Sequence, residues 1–384
     1  MTAKAKVGYV PFFAIGLALA CSQPAPGAKT PQHDPVPTSA TGQQPGENAP
    51  SASSKASSPA KKWEATNWTT GDKSSLQGAV VTIASASMAA ATLGSNDEFS
   101  LALTDYDRKL RTNSQNMVSK TQFLTFAAAQ GQEFWDEEKA EIRRIISEIS
   151  LAAGGIPLHL PDHIVFVKST QKEEFDANYT RGHAIVLGRN LFEDAKHTHA
   201  DRVKLIAHEM YHVISRFDAS LRKRSHEAVG CVYKGSPLVL DEQTRSTIIT
   251  NPDAHEFACA LQVTLKSGGK KWVMPATVLK VTNGVTPTFA DITTKLLLVD
   301  APGAQWQVVR GSDGKAQFIE TATTNYDQIM NINTDYNIHA EEVVAENFPL
   351  MLTEKADGVN KTGTSTSLNR PDFIKKLKAI FEIL

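Results

Sequence analysis

The run Leu205-Ile-Ala-His-Glu-Met-Tyr-His-Val-Ile214 contains His208, Glu209 and His212. On an α-helix, residues four apart share a face, so both imidazoles can reach one metal ion. Glu209 sits beside them, placed as a general base toward water held at that ion and not as a ligand. These groups suit metal-assisted hydrolysis, and zinc is the ion expected. The flanking Leu205, Ile206, Val213 and Ile214 are apolar, and no Pro or Gly interrupts Lys204–Arg216. The segment therefore reads as a buried helix.

Two histidines leave a catalytic zinc one protein ligand short, with a further position open. Two carboxylates compete for that role. Asp218 follows soon after His212, in a spacing similar to that of the metzincins. A glycine turns the chain there, and this sequence has Ser215, which adopts a left-handed backbone poorly. The favoured ligand is Glu342, in the helical-looking run His339-Ala-Glu-Glu-Val-Val-Ala-Glu-Asn-Phe348. Glu342 and Glu346 are four apart and share a face, so one can bind the metal while the other orients a histidine. In the alternative register Glu341 would be the ligand, but Ala345 could not then orient anything.

Stepping outward from these residues, Asn96–Arg111 and Lys120–Gln130 read as helices, the second capped by Ser119. Asp136–Ala153 is a strong amphipathic helix stopped by Gly154-Gly155. His163–Lys168 and His183–Leu187 read as strands, with Tyr179–Gly182 as a turn. The metal helix follows at Asp201–Arg216. Ala184–Leu187 is the candidate edge strand along which an extended peptide would lie. Short strands at Phe257–Thr264, Lys271–Val281, Lys295–Val299, Gln305–Val309 and Ala316–Ile319 make 229–320 a β-rich insertion. Helices are expected again at His339–Leu352 and from Pro371 to Leu384. Trp63–Gly94 carries no clear pattern. The folded domain is placed at 95–384, in the α+β class.

The start of the chain reads as an export signal over residues 1–20. Lys4 and Lys6 precede an apolar stretch, Val7–Ala20, that is short for a membrane span. It ends Ala18-Leu19-Ala20-Cys21, similar to a bacterial lipobox with Ala18 in the usual place of leucine, so Cys21 is the expected lipidation site. Residues 21–62 are rich in Pro, Ser, Ala, Gly and Gln and read as a flexible tether. The remaining cysteines, Cys231 and Cys259, could pair in an oxidising compartment or stay as buried thiols. The chain carries 40 Lys+Arg against 41 Asp+Glu among 384 residues. No charge field points to nucleic acid, and a lipid at Cys21 is the only membrane contact expected.

With both motifs in view the chain resembles the gluzincins, whose third zinc ligand is a glutamate on a second helix. The likeness is to branches with an E-x-x-A-D second motif, such as prenyl-protein and quality-control membrane peptidases. Here the matching residues are Glu342, Ala345 and Glu346, with glutamate in place of the final aspartate. The resemblance covers two short motifs and a coarse helix order, and the membrane helices of the prenyl-protein peptidases are not seen. It implies a zincin-like metallopeptidase domain holding zinc through His208, His212 and Glu342, with Glu346 orienting a histidine. It also implies a donor for the oxyanion, for which Tyr336 and then His339 are the candidates. Arg181 is a candidate for binding the substrate backbone or a carboxylate end. His226 and His255 read as ordinary surface or packing residues. The expected function is a zinc peptidase of the bacterial envelope, an endopeptidase acting on protein or peptide. The competing reading is a non-catalytic zinc-binding lipoprotein with a scaffold or assembly role.

Overall fold

The computed structural model describes residues 72–279, 292–353 and 368–383. The expected signal, Cys21 and the tether lie outside them. β1 (Asp72–Leu76) and β2 (Ala79–Ile83) form a hairpin. Gln77 and Gly78 turn it, both at positive φ (46° and 90°), the backbone a two-residue hairpin needs. Four short helices follow: α1 (Ala86–Leu93), α2 (Glu98–Ala102), α3 (Asp105–Arg111) and α4 (Lys120–Ala128). The single helix expected over Asn96–Arg111 is broken at Leu103, where Thr104 begins a new capping box with Asp107. Next come β3 (Gly131–Gln132), the long α5 (Asp136–Ala153), β4 (His163–Ser169), β5 (Tyr179–Arg181) and β6 (Ala184–Gly188).

These strands form one mixed sheet in the order β1-β2-β4-β6-β5, with β3 pairing β4. β2, β4 and β6 are parallel, while β5 runs antiparallel along the outer edge of β6. Two expectations change here. Ala184–Leu187 is not the edge but an inner strand, and Tyr179–Arg181 is not a turn but the edge strand itself. The uniformly apolar run Ala184-Ile-Val-Leu187 is the mark of a strand covered on both faces. Likewise Val165 and Val167 face α1 and α4, while Ile164 and Phe166 face the opposite core with α5. The hairpin before residue 95 belongs to this sheet, so the folded domain begins at or before Asp72 and not at 95.

A short α6 (Asn190–Glu193) leads into α7 (His199–Phe217). Thr198 and Asp201 form a capping box at its start, and its buried side runs from Leu205 to Ser215. α8 (Ala219–Val229) follows at once, capped by Asp218, whose side chain accepts the N–H groups of Ser220 and Leu221. β7 (Val232–Tyr233) and α9 (Glu242–Arg245) precede a second sheet. Besides β7, its strands are β8 (Cys259–Thr264), β9 (Lys270–Leu279), β10 (Ile292–Asp300), β11 (Gln307–Val308) and β12 (Phe318–Glu320). This sheet is antiparallel, ordered β11-β10-β9-β8-β7, with β12 also on β10. Cys231 and Cys259 are joined by a disulfide, with Cα atoms 5.5 Å apart, tying the end of α8 to the start of β8.

The chain returns through α10 (Tyr326–Met330) to α11 (Ala340–Thr353) and α12 (Pro371–Phe381). α11 is buried along nearly its whole length and shares one core with α5, α7 and α12. It is this packing of α11 against α7 that brings the two distant motifs together. The described chain is thus a mixed α+β fold. Among the described residues no helix is long and apolar enough to cross a membrane.

Candidate metal centre

α7 presents His208 and His212 from one face, and α11 presents Glu342 opposite them. The Nε2 atoms of the two histidines are 3.1 Å apart, and Glu342 Oε2 lies 3.3 Å from one and 3.4 Å from the other. All three residues are buried. Ligand atoms about 2.0–2.1 Å from a tetrahedral zinc stand about 3.3 Å apart, so this triangle has the right size.

The outer atoms of each histidine decide the tautomer. His212 Nδ1 is 3.0 Å from Glu341 Oε1. His208 Nδ1 lies 3.1 Å from Glu346 Oε1, as an ion contact more than an aligned hydrogen bond. A carboxylate at Nδ1 keeps the proton there and turns the Nε2 lone pair inward. Two inward lone pairs and a carboxylate oxygen at this spacing repel one another unless a cation stands between them. Without one, the site draws in protons instead. Burial opposes charge on His208, but Glu342 and Glu346 outweigh it and push the imidazole up to about 9. His212 is raised for the same reason, with Asp253 and Glu342 outweighing burial. The donor set therefore fits a divalent ion.

The surrounding shell is continuous. Glu341 accepts from His212, from Ser215 Oγ and, at 2.7 Å, from His226 Nε2, and Tyr233 contacts the far nitrogen of His226 at 2.7 Å. Burial would raise Glu341, yet the bonds from His212 and His226 hold it well below the usual carboxylate range. Glu346 is steadied by Lys204 at 3.3 Å. Asn251 Nδ2 donates to Glu342 Oε1 at 2.9 Å, leaving Oε2 to face the histidines.

Glu209 lines the cleft in front of this triad, together with Tyr336, Asn251 and Asp253. It is 3% exposed, and its Oε2 has no hydrogen-bond partner. Burial and the neighbouring Asp253 push its carboxyl up to about 8. Tyr336 stands with its ring 6.5 Å from that of His208, and burial keeps its phenol protonated. A buried carboxylate with high proton affinity beside a cation site can take and return a proton, and a phenol can donate to developing negative charge.

Several sequence expectations are placed differently. His339 does not face the cleft: it caps α11, its Nδ1 accepting the Glu341 N–H at 3.0 Å, and it lines a separate cavity with His226. Asp218 caps α8 and is no part of the triad. Arg181 is structural, buried and bonded to Asp97 at 2.7 Å and to the carbonyls of Leu93 and Ser95. His226, expected at the surface or in packing, is buried and is the outer partner of Glu341. Glu341 serves the site beside Glu342, because adjacent residues on α11 reach different atoms of the α7 histidines. Asn251 and Asp253 carry no local signal at all, as both sit in an irregular segment whose position depends on the fold. Comparison of the chain with protein-family models, with curated proteins and with solved structures gives no match.

Proposed function

We propose that this chain is a zinc-dependent peptidase of the bacterial cell envelope, held to the membrane by a lipid on Cys21. The observation that carries the reading is the triangle of His208, His212 and Glu342 ligand atoms, 3.1 to 3.4 Å on a side, with the Glu209 carboxylate, its Oε2 unpartnered, in the same cleft. The mixed sheet covered by the metal helix, with a glutamate ligand from a second helix, is read as a zincin-like arrangement of the gluzincin kind. A zinc ion there would supply Lewis acidity and lower the pKa of water. Glu209 takes a proton from the attacking water and returns it to the leaving amine. Tyr336 donates to the oxyanion that forms on the peptide carbonyl. Glu341 and Glu346 hold the two imidazoles in the tautomer that binds. The Cys231–Cys259 disulfide supports export, since such bonds persist in oxidising compartments.

The test is zinc per chain by elemental analysis, on the purified protein and on Glu342→Ala, together with hydrolysis of casein or a peptide pool. One zinc in the parent, its loss in a folded Glu342→Ala variant, and turnover abolished by Glu209→Gln are the expected results. Metal-free protein after zinc is offered would remove the reading. Zinc without turnover under varied pH would instead favour the non-catalytic lipoprotein.

A further inference from the structure

The segment Thr250–Asp253 lies across the cleft in front of the metal centre. One cavity, lined by Tyr179, His208, Glu209 and Glu342, reaches it from one side. A second, lined by His226, His255, His339 and Glu341, reaches it from the other. Asp253 lines both, so it stands between the two cavities.

Asp253 also covers the sheet edge. Its Oδ1 accepts the backbone N–H of Thr180 at 2.9 Å, and the Thr180 hydroxyl as well. Thr180 is the middle residue of edge strand β5, and this N–H is the outward group that an added peptide strand would use. The segment is fixed at both ends. Arg111 donates to the Thr250 carbonyl at 2.7 Å, Asp107 accepts the Thr250 N–H at 2.9 Å, and Arg216 donates to the Pro252 carbonyl at 3.3 Å. Arg111 and Asp107 are themselves fully buried. This is a wall and not a lid.

We infer that this wall bars extended polypeptide from running through the cleft, and that Asp253 receives the free α-amino group of a peptide entering by its end. The inference rests on the peptidase reading and narrows its substrate class. The Asp253 side chain is only 8% exposed, and its Oδ1 carries both the Thr180 bonds and a 3.8 Å ion contact from Arg216 Nη2. Glu209 Oε2 is buried without a partner. Carboxylate oxygens of both residues and a ring nitrogen of His212 lie within 4.8 Å of one another. An ammonium group brings three donors to such a place, whereas a carboxylate end would meet like charge. A second metal ion is the rival occupant, but it would have to share His212, whose Nε2 already belongs to the triad.

The experiment is calorimetric titration of the Glu209→Gln protein, which cannot turn over, with tetra-alanine carrying a free or an acetylated amino end. The free peptide should bind about tenfold tighter, as one charge-assisted hydrogen bond implies. Adding Asp253→Asn, which keeps an acceptor for Thr180, should erase most of that preference. No preference in the Glu209→Gln protein, a preference unchanged by Asp253→Asn, or two metal ions per chain would overturn the inference. Wild-type cleavage in the interior of a long acetylated peptide would overturn it while upholding the peptidase reading. Preference for the free amino end with no wild-type turnover would keep Asp253 as an amine-binding residue but remove the peptidase reading and, with it, the substrate class.

Discussion

Replacing both Cys231 and Cys259 by serine should cost stability without emptying the metal site. The disulfide closes a loop with a sequence separation of 28. A loop of that length stabilises the native state by about 3.6 kcal/mol at 25 °C, through the entropy removed from the unfolded chain. For a folded part of this size that corresponds to a fall in Tm of roughly 7 °C. The closed loop carries Asn251 and Asp253, but these are fixed independently by Arg111, Asp107, Arg216 and Thr180. Metal content should therefore stay at the wild-type level while the midpoint falls. The assay is thermal and urea unfolding of wild-type, reduced wild-type and double-serine protein, with free thiols and metal counted in each. An unchanged midpoint, or two titratable thiols in the unreduced protein, would refute the loop argument. Loss of metal along with the midpoint would refute the claim that buried polar contacts alone hold the segment.

Other outcomes follow from the same contacts. Glu341→Gln should weaken metal affinity by about ten- to a hundredfold, because His212 and His226 lose their charged acceptor; competition with a chromogenic chelator measures it. A divalent ion entering the site would have to displace a proton from His208, which burial disfavours but Glu342 and Glu346 hold up to about 9, and one from His212, raised likewise by Asp253 and Glu342 against burial. Apparent affinity should thus rise by about tenfold per pH unit for each imidazole proton displaced and fall on acidification, and a flat pH profile would contradict the protonation assignment. Arg111→Met leaves the buried Asp107 and Glu174 carboxylates unpaired. It should cost about 3–5 kcal/mol in denaturant unfolding, and should also loosen Thr250 and with it the Asn251 contact to Glu342. Burial would raise the Asp97 carboxyl, but Arg181 overrides it and holds it below its usual value. That pair therefore contributes stability above the unfolded carboxylate pKa of about 3.9, lost as pH falls through the lower folded value; Asp97→Asn should remove this part of the acid sensitivity.

Features that depend on neighbours a turn away could be read directly. The α7 histidines, the long α5 with its Gly154 stop, and the paired faces of Glu342 and Glu346 all follow from helical spacing. The α+β class was legible from alternating helical and strand-like patterns, and the β-rich stretch between the motifs from its short apolar runs and turns. Strand rank in the sheet was not. Ala184–Leu187 looks like an edge candidate because it precedes the metal helix. Its burial on both faces is decided by α1, α4 and α5, which come earlier in the chain.

The amino-acid sequence alone thus determined which side chains could carry the chemistry, since the spacing of His208, Glu209 and His212 needs only one helix to act. Tertiary packing decided the rest. It placed Glu342 and not Asp218 beside the two histidines by seating α11 against α7, and it linked His212 to His226 through Glu341. It buried Arg181 as a strut, turned His339 away from the cleft and set Asn251 and Asp253 across it. These roles depend on atoms brought within hydrogen-bond reach across many intervening residues. Such distances are set by how helices and sheets pack, and no local pattern encodes them.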